Sequence, residues 1–98
     1  MSWMSMDVVV NSSSWTPVEA PFDCDMLVIR NTGTAPLRYS PDEGNTEDVL
    51  EPGAQFAVPV HRHANWWMSA GPRFSAGTPA AHLKMASGTA AIKVTFLR

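Results

Sequence analysis

Three groupings of side chains in this sequence are of types that do chemistry. His61-Arg62-His63 places two imidazoles at positions i and i+2. In an extended segment those positions share a face, so the pair could hold a metal, with His82 as a third ligand. A glutamate within the next several residues would help complete such a set, but Ala64-Asn65-Trp66-Trp67 stands there instead. The plainer alternative is a polar corner between two strands. Asp42-Glu43-Gly44-Asn45-Thr46-Glu47-Asp48, with Glu51 just beyond, concentrates carboxylates that suit Ca²⁺. The EF-hand spacing is absent, and a solvated loop explains the acids equally well. Cys24 has no second cysteine to pair with and no histidine near it in sequence, so it reads as a small buried hydrophobe. There is no Gly-rich phosphate loop, no Gly-x-Ser-x-Gly and no His-Glu-x-x-His, so nothing in the sequence points to an enzyme.

The aromatic residues carry more information. In Trp66-Trp67-Met68, neighbouring strand positions point to opposite faces, so only one tryptophan can enter a core. The other must be covered by a loop, a ligand or another chain, and Trp is enriched at interface hot spots. Trp3, Met4 and Met6 place further large apolar side chains near the start of the sequence. Residues 1–6 are therefore expected to act as an interacting arm, and Trp3, Met4, Met6, Trp66 and Trp67 form the candidate interface.

Composition narrows the class. The chain has 98 residues, 45% apolar and only 16% charged, with four Trp, six Met and a formal net charge of −2. A mildly acidic chain whose seven Lys and Arg are scattered offers no basic surface for nucleic acid. The longest apolar runs, such as Met26-Leu27-Val28-Ile29, fall far below the ~20 residues of a membrane-spanning helix. The first residues lack the basic and apolar regions of a signal peptide, and a single cysteine excludes an internal disulfide. A cytoplasmic protein, or one assembled there into something larger, is expected. No cofactor is implied.

The elements that must position these residues are short strands. Eight Pro and six Gly punctuate the chain, and no long window repeats at 3.6 residues. Strands are predicted at about Met4–Val10, Cys24–Arg30, Leu37–Ser40, Glu47–Leu50, Gln55–Val60, Asn65–Ala70, Ala81–Ala86 and Thr89–Leu97, with a short extended piece at Trp15–Val18 before Pro21. Cys24–Arg30 is apolar throughout its middle and is expected to be central and covered on both faces. Leu37–Ser40 is expected as its partner across an Asn31-Thr32-Gly33-Thr34 turn, where Asn and Gly tolerate positive φ. Pro52-Gly53 suits a type II turn, and Pro59 suggests an edge strand. In Thr89–Leu97, Ile92, Val94 and Phe96 alternate with Lys93 and Thr95. Such spacing predicts an all-β fold. The expected form is one antiparallel β-sandwich or jelly-roll-like domain over residues 1–98, of about seven to eight strands. Its inner faces are expected to include Val28, Leu37, Tyr39, Phe56, Val58, Leu83, Met85, Ile92, Val94 and Phe96.

The segment Leu27-Val28-Ile29-Arg30-Asn31-Thr32-Gly33-Thr34-Ala35-Pro36-Leu37-Arg38-Tyr39-Ser40, followed by Leu50-Glu51-Pro52-Gly53, resembles small β-sandwich proteins of tailed-bacteriophage virions. In those, a strand ends in an Asn-x-Gly turn, the next opens with Pro-Leu, and a Leu-x-Pro-Gly turn follows. Ala86-Ser87-Gly88-Thr89-Ala90-Ala91-Ile92-Lys93-Val94-Thr95 is similar to their closing hairpin. The resemblance implies a structural part of a phage particle, such as a capsid decoration (cement) or head–tail accessory protein. It would be assembled in the host cytoplasm, with itself as a homo-oligomer and the major capsid or another virion protein as partners. Two alternatives belong to other classes. One is a carbohydrate- or ligand-binding module stacking its ligand on Trp66 or Trp67. The other is a small cupin-like metal protein, since His61-Arg62-His63 is similar to the His-x-His of cupins.

Overall fold

Most sheet partners in this chain are distant in sequence, with β1 pairing β8 at the extreme, and that shapes the architecture. A computed structural model describes residues 3–41, 44, 47–59, 77 and 79–98. These contain eight strands: β1 (Trp3–Asn11), β2 (Thr16–Glu19), β3 (Met26–Arg30), β4 (Leu37–Ser40), β5 (Asp48–Leu50), β6 (Gln55–Pro59), β7 (Pro79–Met85) and β8 (Thr89–Leu97). Among the described residues there is no helix. The expected strand Asn65–Ala70 lies outside the described residues. The helix-compatible composition around Ala80 yields to strand β7, whose Leu83 and Met85 share the buried face at period two.

The strands form two four-stranded antiparallel sheets, β1-β8-β3-β6 and β2-β7-β4-β5. The pairs β1·β8, β2·β7, β3·β6 and β4·β5 nest inside one another, as if one long hairpin had been rolled over itself. That is the jelly-roll order, and the described residues form an eight-stranded β-sandwich. Two expected hairpins become crossovers. β3 and β4 belong to different sheets, as do β7 and β8. The turns at 31–34 and 87–88 therefore carry the chain across the sandwich. A crossing turn and a hairpin turn need the same residue types, so turn chemistry alone does not separate them.

The core is set by the alternation of β8. Ile92, Val94 and Phe96 are fully buried, and the register places Val94 beside Ile29 and Phe96 beside Leu27. Paired residues of an antiparallel ladder share a face. Leu27 and Ile29 therefore point inward, and Val28, beside Thr95 and Ala57, points outward and is half-buried. This corrects the placement of Val28 in the core. It also limits the two-sided cover expected of β3, which is central in its sheet but alternates in burial. Across the interior, Leu37, Tyr39, Leu83 and Met85 of the second sheet are buried, and Val10, Val18 and Val58 complete the core. Phe56 is half-buried on the inner side, its ring 5.4 Å from that of Tyr39 in the facing sheet.

One corner holds several crossings together. Asn31 is fully buried, and its Nδ2 donates to Ala35 O and Leu50 O, both at 2.9 Å. Its Oδ1 accepts from Gly33 N at 3.0 Å, and its backbone exchanges hydrogen bonds with Gly53 N and Ala54 O. The two motifs of the resemblance, Asn31-Thr32-Gly33 and Leu50-Glu51-Pro52-Gly53, thus meet at one residue. The type II turn expected at Pro52-Gly53 is present, with Ala54 N donating to Glu51 O and Gly53 at φ 84°. Gly33 has a different reason to be glycine from the positive φ expected: a Cβ there would lie 2.8 Å from the Cβ of Ala90.

Candidate functional site

Among the described residues four strands bound the two sheets, and three of them are blunted as protein edges usually are. β2 has four residues, includes Pro17, and shifts register between Val18 and Glu19. β5 has three residues. β6, the edge expected from Pro59, ends at that proline. β1 differs, with nine residues, Trp-Met-Ser-Met-Asp-Val-Val-Val-Asn, and no Pro, Gly, Lys or Arg.

β1 pairs with β8 along its whole length, from Trp3 opposite Leu97 to Asn11 opposite Thr89. Residues 3–6 are accordingly part of the sandwich's own sheet and not a detached arm, yet their side chains remain open to solvent. Trp3 is 66% exposed, Met4 44%, Met6 40% and Val9 68%. They divide between the two faces of the sheet. Met4, Met6 and Val8 stand opposite Phe96, Val94 and Ile92 and so point to the core side. Trp3, Ser5, Asp7 and Val9 stand opposite Leu97, Thr95, Lys93 and Ala91 on the outer side. There Ser5 Oγ and Thr95 Oγ1 share a hydrogen bond at 2.8 Å. Because β2 is short, the second sheet covers Val10 but leaves Met4 and Met6 exposed. An open groove of about 420 Å³ lies between these two edges, lined by Met6, Asp7, Val8, Pro17, Val18 and Glu19. Val9 is absent from the interface expected from sequence. Its signal is the run Val8-Val9-Val10, in which alternation forces the middle residue away from the core.

The other candidate residues are placed differently. His82 is buried on the outer side of the second sheet, opposite Ser40 and Pro17, whereas the interior between the sheets is apolar. It does not face the interior, where a cupin-type metal would sit. His61, His63, Trp66 and Trp67 lie outside the described residues. Cys24 is fully buried. Of the acidic run, Glu47 is held by Arg38 through two bonds of 2.8 Å, Nε to Oε1 and the terminal Nη2 to Oε2. That pairing lowers the Glu47 pKa and raises that of Arg38, chiefly through the hydrogen bonds. Asp42, Glu43, Asn45 and Thr46 lie outside the described residues.

A second cluster escapes the sequence reading. Trp15 lies with Arg38 Cζ 5.3 Å and Lys84 Nζ 5.8 Å from its ring, and Arg38 and Lys84 are cross-strand neighbours. Gly44 packs against the indole closely enough that a Cβ would sit 3.1 Å from Nε1. Both cations are thus engaged, Arg38 with Glu47 as well, and the cluster braces the outer side of the second sheet.

Comparison with protein-family models, with curated proteins and with solved structures finds no match to this chain.

Proposed function

We propose that this chain is a non-enzymatic structural protein of a tailed-bacteriophage virion, stabilising the capsid or connecting virion parts by contacts between subunits. The observation behind it is β1, a long unblunted edge carrying Trp3, Met4, Met6 and Val9 in solvent. Apolar surface gathered on one edge is characteristic of a surface that another chain covers. The assignment to a virion rests on the turn motifs, which converge on Asn31. Jelly rolls serve capsids, lectins and cupins alike, so the fold by itself does not choose among them, and the site must.

The test is cosedimentation of the purified protein with phage capsids assembled without it. Saturable binding that raises the capsids' resistance to heat is expected. No binding, together with a stoichiometric transition metal lost in the variant H61A/H63A, would overturn the proposal in favour of a metal protein.

A further inference from the structure

We infer that β1 is a two-fold dimerisation edge, on which a second copy of this chain adds its own β1 antiparallel in the register centred on Met6. The inference deepens the subunit-contact proposal by naming one partner.

Symmetry limits the choices. A two-fold axis perpendicular to the sheet keeps the core sides of both copies on the same side, so one residue must face its own counterpart. Centring on Met6 sets Trp3 opposite the partner's Val9, Met4 opposite the partner's Val8, and Ser5 opposite the partner's Asp7. Every exposed apolar side chain of the strand then meets an apolar one. Met4, Met6 and Val8 from each copy form one stripe over the groove between β1 and β2. Centring on Asp7 would set two carboxylates face to face, which destabilises an antiparallel pair, and would place Trp3 opposite Asn11. Centring on Ser5 would set Trp3 against Asp7 and leave Val8 and Val9 beyond the paired stretch. In the Met6 register Asp7 has a hydroxyl across the new boundary and Lys93 across the existing one, so no charge lacks a compatible neighbour.

Among the described residues the edge of β1 that faces away from β8 has no strand partner, and the other three edges are short or carry proline. β-augmentation therefore has one edge suited to it. Pairing along one strand covers less than the ~800 Å² per partner of a standard stable interface, so the dimer is reversible and its mass depends on concentration.

Sedimentation velocity of the full chain from micromolar to millimolar concentration, with cross-linking of three cysteine variants, tests this. Wild type should pass from monomer to dimer. Met6→Lys, which opposes two ammonium groups at the centre, should raise the midpoint by at least about tenfold while circular dichroism stays unchanged. Met6→Cys should cross-link to itself under a short bifunctional thiol reagent. Met4→Cys and Val8→Cys should each cross-link poorly alone but efficiently when mixed. A monomer at every concentration overturns the inference, as does Met4→Cys cross-linking with itself as readily as Met6→Cys. If the Met6→Cys variant is monomeric and its introduced thiol resists modification, the same chain covers the edge, and that too overturns the inference. Capsid binding retained by Met6→Lys would leave the virion proposal standing however the dimer test resolves. Dimerisation without capsid binding would do the reverse.

Discussion

Asn31 and Leu50 lie nineteen residues apart, and the Asn31 amide joins them by donating to the Leu50 carbonyl at 2.9 Å. That bond ties the crossing after β3 to the end of β5 in the opposite sheet. Asn31→Ala removes it, strips the donor from Ala35 O, and leaves Gly33 N without its acceptor. An unsatisfied buried group costs roughly 1–3 kcal/mol, and Gly33 and Ala35 are only half-buried, so a loss of about 2–4 kcal/mol is expected. Urea unfolding should show a lower midpoint at an unchanged slope. Asn31→Asp should be at least as unstable at neutral pH, because a carboxylate accepts but cannot donate to the two carbonyls.

Gly33 and Ala90 form a close backbone approach in the same corner. Gly33→Ala would bring two Cβ atoms to 2.8 Å, an overpacking expected to cost about 1–3 kcal/mol. Ala90→Gly alone costs about 0.5–1 kcal/mol through strand entropy. The double variant should recover most of the Gly33→Ala loss, so the two effects are strongly non-additive. Additive melting-point changes would show that the clash is not what makes residue 33 glycine.

Much of the fold is legible because strand period and turn residues are local signals. β4 and β8 lie where alternation places them, and the remaining described strands differ by a few residues at their ends. Pairing is not legible. Val28 sits in a run apolar at every position, so only the register of Leu27 with Phe96 decides which face is buried. The crossings at Asn31 and Gly88 look like hairpins because φ > 0 and side-chain-to-backbone bonds serve both. At the site, Trp3, Met4 and Met6 stand out as large apolar residues near the start of the sequence. Their membership of β1 depends on contact with residues some ninety positions away. The Trp15 cluster likewise needs β4 beside β7, which no local pattern encodes.

The Arg38–Glu47 pair gives a pH signature whose sign follows from its direction. Hydrogen bonding to Arg38 holds the Glu47 carboxyl below its usual range. A depressed folded pKa stabilises above the unfolded value of about 4.3 and is lost as pH falls through the folded value. Wild type should therefore lose a small increment of stability on acidification below the ordinary glutamate range. Glu47→Gln should be flatter there and less stable at neutral pH. Because the pair lies at the surface, the difference should shrink in high salt. Identical pH profiles for the two proteins in low salt would mean the pair contributes nothing.

Trp15 supplies the last expectation. Its ring lies near two cations, Arg38 and Lys84, each placed to interact with the face of the indole. Lys84→Met keeps the aliphatic stem and removes the ammonium, which separates charge from packing. In a cycle with Trp15→Leu, Lys84→Met should cost about 0.5–1 kcal/mol when the indole is present and close to nothing when it is absent. Lys84 also feels the Glu47 carboxylate, so the cycle should be repeated with Glu47→Gln. A coupling that survives that change belongs to the ring. A coupling that vanishes with the carboxylate would assign the effect to the attraction between Lys84 and Glu47 and not to the ring.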